Sequence, residues 1–163
     1  MAVLIRRAGK DDAPAVADLA LKLFAQHREY DAIRFAELSN REGAERWYGS
    51  RAEADTAAVF VAEAAGKIVG FAYLEYEEID YANLLENAVW LHDLYVEEEV
   101  RRHGAGKLLI EAAVEAAREF GASKLMLSVA ARNNAAQEFF ERAGFRTTML
   151  EMMLAVPDTR SND

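Results

Sequence analysis

An α/β fold, with α+β character, built on one mixed sheet with helices on both faces, is what this chain predicts. Three observations lead there. Strand-like and helix-like stretches alternate along the chain. Two apolar strands flank Ala65-Gly66, a tight-hairpin signature. A further apolar strand runs into a glycine-bearing loop from which a helix starts at once.

Taken in order, residues 3–7 (Val-Leu-Ile-Arg-Arg) read as the first strand. Asp11 or Asp12 is placed to cap the next helix, with Pro14 in its first turn and Val16, Leu19, Leu23 and Phe24 as its apolar stripe. Residues 31–54 read as mixed and helical. Ala57–Ala64 and Lys67–Glu77 form the hairpin, 78–87 a polar loop, and 88–96 another strand. Over 105–120, Leu109, Ala113, Ala116 and Phe120 share one helix face, and Gly121 stands where a helix stops. The unbroken apolar run Leu125–Ala130 predicts a central, buried strand. Asn133–Ala143 reads as a helix stopped by Gly144, Phe145–Ala155 as a last strand, and 157–163 as a mobile polar tail. The predicted order is β-α-α-β-β-β-α-β-α-β.

Composition bounds the function. A chain of 163 residues, 52% hydrophobic and 29% charged, predicts a single domain over 1–163 with room for a core. No apolar run approaches the ~20 residues that span a bilayer, so a cytoplasmic protein without membrane contact is expected. The absence of cysteine excludes disulfides, thiolate metal sites and a cysteinyl acyl-enzyme. The three histidines, His27, His92 and His103, lack the spacing of a metal pair, so no metal is expected. A net charge of −9 argues against nucleic acid and is compatible with a cationic amine substrate; solubility alone also accounts for it.

The most informative stretch is 89–109. An apolar strand ending Asp93-Leu94-Tyr95-Val96 leads into Glu97-Glu98-Glu99-Val100-Arg101-Arg102-His103-Gly104-Ala105-Gly106, and an Ala/Leu-rich helix follows. Glycines let backbone N–H groups approach an anion, and a helix start adds unpaired N–H groups and roughly half a positive charge. Arg101, Arg102 and Lys107 add full charges. A Walker-type loop would need Gly at 101 and Ser or Thr at 108, but Arg101 and Leu108 stand there. The dinucleotide fingerprint would need a third glycine where Leu109 stands. Neither register fits.

What remains, Arg101-x-x-Gly104-x-Gly106, resembles the pyrophosphate loop Gln/Arg-x-x-Gly-x-Gly/Ala of the GNAT superfamily of acyl-CoA-dependent N-acetyltransferases. A second segment is similar to that family's Asn-x-x-Ala-x-x-Leu-Tyr-Glu-Lys-x-Gly-Phe: Asn133-Asn134-Ala135-Ala136-Gln137-Glu138-Phe139-Phe140-Glu141-Arg142-Ala143-Gly144-Phe145. The resemblance is specific over about 57–150 and general before that. It implies the GNAT fold: a mostly antiparallel sheet whose one parallel strand pair splays apart.

It also implies acetyl-CoA as co-substrate. Leu94, Tyr95 and Val96 would hold the pantetheine arm. Arg101, Arg102, His103, Gly104, Ala105, Gly106 and Lys107 would hold the pyrophosphate. Asn133, Ala136 and Phe140 would lie beside the arm. The activity implied is direct acetyl transfer to a primary amine in a ternary complex. An alkylammonium with pKa ~10.4 costs on the order of 4–5 kcal/mol to hold neutral at pH 7. A base nearby lowers that burden, and His92 stands where some relatives carry Glu or His; Glu75, Glu77 and Glu86 are in reserve. Phe140 departs from the family's tyrosine, which protonates the departing thiolate. Another phenol (Tyr95 or Tyr73) or a water serves instead, or the thiolate leaves unassisted, or the protein is an acyl-CoA-binding module or sensor with weak catalysis.

Period-two alternation puts Trp90, His92, Leu94 and Val96 on one face and Leu91, Asp93 and Tyr95 on the other, unless a bulge intervenes. The acceptor pocket is expected from 27–50 and 73–87. Small-molecule amines and peptide amines both remain open. A homodimer through the last strands is compatible with the resemblance.

Overall fold

The computed structural model describes residues 1–158, so the end of the expected 157–163 tail lies outside the described residues. Its strands are β1 (Val3–Arg7), β2 (Ala57–Ala64), β3 (Lys67–Asp80), β4 (Leu85–Val96) and β5 (Lys124–Leu127). Its helices are α1 (Ala13–Tyr30), α2 (Arg41–Ala52), α3 (Ala105–Glu119) and α4 (Asn134–Arg142). One sheet runs β1-β2-β3-β4-β5, antiparallel except for the parallel β4–β5 pair. Ala65 and Gly66, both at positive φ (50° and 73°), make the two-residue hairpin turn that joins β2 to β3.

The sheet separates two apolar layers. On one face Val16, Leu19 and Leu23 of α1 and Tyr48 of α2 pack on Val59, Val61, Phe71 and Tyr73. On the other, Leu109, Ile110, Ala113 and Ala116 of α3 pack on Ala72, Leu74, Val89 and Leu91. Phe139 and Phe140 of α4 join that second layer half-buried. Helices thus cover both faces.

Several expectations are corrected. Asp12 stands at the N-cap of α1 but its carboxylate caps no α1 amide. It takes two hydrogen bonds from the Arg6 guanidinium (2.8 and 2.9 Å) and one from the Gly9 N–H, so ion pairing with β1 wins over capping. Of 31–54, only Arg41–Ala52 is regular helix, started by the Asn40 side chain accepting from Gly43 N–H. The 78–87 stretch is largely strand: β3 and β4 pair as far as Asp80 and Leu85, because the long hairpin keeps satisfying backbone groups beyond the core. Leu125–Ala130 is not a central strand. β5 stops at Leu127 and is a half-buried edge, paired with β4 alone. Finally, Phe145–Ala155 forms no strand; nothing among the described residues pairs with it.

Candidate functional site

The parallel pair forks. Ala88–Leu91 of β4 pair with Lys124–Leu127 of β5, and there the pairing ends while β4 runs on to Val96. The Glu97 N–H bonds to Val69 O (2.8 Å), so by alternation the Tyr95 main chain also faces β3. The main chain of Leu94 and Val96 then faces the open side of the fork. The Val96 carbonyl is already taken by Arg101 Nε (2.8 Å).

At the wide end of the fork lies the glycine loop. A single 3₁₀ stretch, Glu98–His103, ends at Gly104, whose φ of 82° is the left-handed turn that lets α3 begin. The first α3 bond runs from Leu108 N–H to Gly104 O (3.1 Å). Helix geometry therefore leaves the N–H groups of Ala105, Gly106 and Lys107 without intrahelical acceptors. Arg102, His103 and Lys107 are exposed around them. Arg101 differs: besides bonding Val96 O, its guanidinium lies over the Tyr95 ring at 5.7 Å, so it braces the loop.

Gly106 also has a role other than the one its motif position implies. A Cβ there would stand 3.1 Å from the Phe139 ring, so this glycine is where α4 closes on α3. Asn133 likewise spends its side chain on α4, its Oδ1 accepting from the Ala136 N–H (3.1 Å). A groove of about 660 Å³ between α3 and α4 is lined by Lys107, Arg118, Phe139 and Arg142.

At the narrow end a cavity of about 240 Å³ opens, lined by Glu77, Asp80, Asn83, Trp90, His92 and Ser128. The register of β3 against β4 explains why His92 is there. Tyr73 faces Asp93 and Leu74 faces Leu91, so His92 is the extra residue of a β-bulge. The bulge breaks the expected parity. Val89, Leu91, Leu94 and Val96 lie on the α3 side, whereas Tyr95 packs on the α1–α2 side, where the Asp93 carboxylate meets Tyr48. His92 goes with that second set: its ring stacks on Tyr73 (5.4 Å, 26°) and lies near-parallel to Trp90 (6.3 Å, 20°).

Behind this stack the polar groups are tied together. The Tyr73 hydroxyl donates to Glu75 (2.6 Å), which also accepts from Thr56 (2.8 Å) and Arg51 (3.4 Å). Burial, then Glu75, raises the Tyr73 phenol above its ordinary value. Glu75 is thus a clamp on Tyr73 with its lone pairs engaged. The Tyr48 hydroxyl donates to Asp93 (2.7 Å), and burial raises the Asp93 carboxyl above the usual carboxylate range. Burial, then Asp80, raises Glu77 as well, while hydrogen bonds from Asn83 hold Asp80 low. The Trp90 indole N–H is enclosed and has no hydrogen-bond partner among the described residues.

The remaining predicted site residues fall apart in space. The Tyr95 hydroxyl lies 3.4 Å from Glu97 on the α1–α2 side, where burial, then Glu97, raises it. Phe140 packs on Phe139 and Phe145 in the opposite layer. Trp90 went unnoticed as a site residue, and the bulge and the long hairpin bring it to His92 together with Asp80 and Asn83 of the 73–87 stretch expected to line the acceptor pocket.

A family model described as the acetyltransferase (GNAT) family matches residues 21–145. This chain belongs to the GNAT family. Among similar proteins, an uncharacterised N-acetyltransferase of Bacillus subtilis, YhfO, is 32% identical over 155 residues, covering 94% of this GNAT chain and 97% of the relative. The L-methionine sulfoximine/L-methionine sulfone acetyltransferase of Pseudomonas aeruginosa is 25% identical over 147 residues, covering 89% and 81%. The aminoglycoside N-acetyltransferase AAC(6')-Iy, solved with a CoA-containing bisubstrate analogue, aligns with a TM-score of 0.77 at 22% identity, covering 97% of this chain and all of that one. That last likeness is one of fold. No described helix is long and apolar enough to cross a membrane, and no group of three or more described His, Cys, Asp or Glu side chains is placed to hold a metal.

Proposed function

We propose that this chain transfers the acetyl group of acetyl-CoA directly onto a primary amine, both substrates being held in the fork at once. The observation that carries the proposal is the fork itself. One end offers free main-chain N–H groups and cationic side chains; the other offers a cavity with an imidazole and two carboxylates. The N–H groups of Ala105, Gly106 and Lys107, with Arg102, His103 and Lys107 side chains, fit a diphosphate. The open main chain of Leu94 and the Val96 N–H fit an amide-bearing arm, as an added strand would.

In the cavity, Glu77 and Asp80 attract a cationic amine, and His92 takes its proton. The amine nitrogen then attacks the thioester carbonyl carbon, the carbon–sulfur bond breaks with its electron pair leaving on sulfur, and the nitrogen gives up its second proton to water. Stacking between Tyr73 and Trp90 holds the imidazole in place, with Glu75 fixing Tyr73 from behind. Phe140 offers no proton, and the Tyr95 hydroxyl is turned to Glu97. The thiolate, an acceptable leaving group with pKa near ~8.5, therefore takes its proton from water. Small polar amines fit a cavity of this size better than a folded protein does.

The test is thiol release from acetyl-CoA with a panel of polyamines, aminoglycosides, amino acids and peptides. Amine-dependent release is expected, and Glu77→Gln should raise KM for dicationic acceptors several-fold while sparing singly charged ones. Acetyl-CoA binding with no amine-dependent release across the panel would favour a binding module instead.

A further inference from the structure

The cavity at the narrow end of the fork carries one sign of charge. Of the described side chains lining it, Glu77 and Asp80 are carboxylates, and neither lysine nor arginine is among them. Two cations on the same side of the sheet stay out of it. Arg51 is held by Glu75 (3.4 Å) and lies over the Trp47 ring (5.1 Å). Lys124, in register with Ala88 and through it with Glu77, turns its ammonium to Ser123 Oγ (3.1 Å). A carboxylate on the acceptor would therefore meet like charge and find no partner, which is how a site rejects a ligand.

The lining is also strung out in a line. Glu77 pairs with Ala88 and Asp80 with Leu85, whereas His92 bulges beyond Leu91. At about 3.3 Å of rise per strand residue, the order along the hairpin is imidazole, Glu77, Asp80. A straight chain suits this run better than a compact ring does.

The two carboxylates are not equivalent. Asp80 accepts from the Asn83 N–H (3.1 Å) and from Asn83 Nδ2 (2.7 Å), and these bonds hold it below the usual carboxylate range. Glu77, half-buried beside it, is raised first by burial and then by Asp80. Of the other charged groups facing it, His92 lowers it and Glu75 adds to the rise. Glu77 is thus the carboxylate that gains most from a neighbouring cation.

We propose that the acceptor is a short linear diamine: one nitrogen meets His92, the other stays an ammonium between Glu77 and Asp80, and acceptors bearing a carboxylate are turned away. This assignment of substrate class rests on the proposed function. The distal ammonium takes the place of the proton on Glu77, which passes to the solvent as the diamine binds.

Three acceptors separate the parts of this claim. Butylamine lacks the distal ammonium of 1,4-diaminobutane, and ornithine keeps it but adds a carboxylate. In thiol release from acetyl-CoA, kcat/KM for 1,4-diaminobutane should exceed that of each of the others by about tenfold or more. Glu77→Gln should erase most of the advantage over butylamine. Calorimetric titration of 1,4-diaminobutane into the full chain, in buffers of different ionisation enthalpy at mildly acid pH, should reveal protons released on binding, and fewer in Glu77→Gln. Equal rates with butylamine or ornithine, proton release unchanged in Glu77→Gln, or a diamine that neither binds nor reacts would each overturn the assignment. Diamine binding with Glu77-dependent proton release, but no thiol release from any acceptor, would count against acetyl transfer and leave the diamine site standing.

Discussion

The two ends of the β4–β5 fork are built from different materials. At the loop end the groups on offer are main-chain N–H groups, presented because Gly104 turns left-handed and α3 starts immediately after it. At the cavity end they are side chains: His92 beside Tyr73 and Trp90, with Glu77 and Asp80 lining the same cavity. Main-chain donors survive most substitutions, so a ligand held this way leaves only a glycine pattern behind. Side-chain recognition depends on where each residue is aimed, and here one extra residue in β4 sets that aim.

That contrast can be broken at either end. The largest effect should come from His92→Gln. It should lower kcat/KM by about 10²–10⁴-fold and abolish the acid limb of the pH–rate profile, leaving acetyl-CoA affinity unchanged. An unaltered profile would mean that the cavity end lacks its base. At the loop end the sharper question is what Gly106 is for. Packing against Phe139 predicts that Gly106→Ala is more favourable to stability, by about 1 kcal/mol or more, in a Phe139→Ala background than in wild type. Equal effects in both backgrounds, read from urea midpoints, would return Gly106 to a purely ligand-binding role.

The smallest effect concerns the partly buried Asp93–Tyr48 pair behind His92. Burial raises the Asp93 pKa in the folded chain above its unfolded value, so the folded state holds the proton longer. The associated stability is present at low pH and is lost as pH rises from the unfolded value of ~3.9 through the folded one. Asp93→Asn keeps an acceptor for Tyr48 and removes that loss, so its Tm at pH 7 should equal or exceed wild type. The difference should vanish or reverse below pH 4.

The same contrast explains what was legible in the sequence. Gly66, Gly104, Gly121 and Gly144, all at positive φ, mark their turns, so the hairpin turn, α3 and α4 were readable to within a residue or two. The family motif at 101–106 was readable for the same reason. The direction of His92 was not, because a bulge leaves no compositional mark and inverts the parity of every residue after it. Asp80 and Asn83 fell in the stretch expected to line the acceptor pocket, although 78–87 is polar enough to read as loop while pairing largely as strand, and Trp90 read only as part of an apolar strand. Residues 145–155 have the composition of a strand but form none, because composition does not say whether an edge is there to pair with. Arg101 and Asn133, carried over from the motifs as ligand contacts, also bond within the protein, through Nε to the Val96 carbonyl and through Oδ1 to the Ala136 N–H.

Calorimetric titration with acetyl-CoA tests the fork most directly, using wild type and the double variant Arg102→Glu, Lys107→Glu. Both side chains are exposed, so folding should be unaffected and Tm unchanged. The wild type should bind one acetyl-CoA per chain, and the variant should bind at least tenfold more weakly, a loss of about 1.4 kcal/mol or more. A wild type that gives no heat of binding, or a variant that binds equally well, would contradict a diphosphate held at the start of α3.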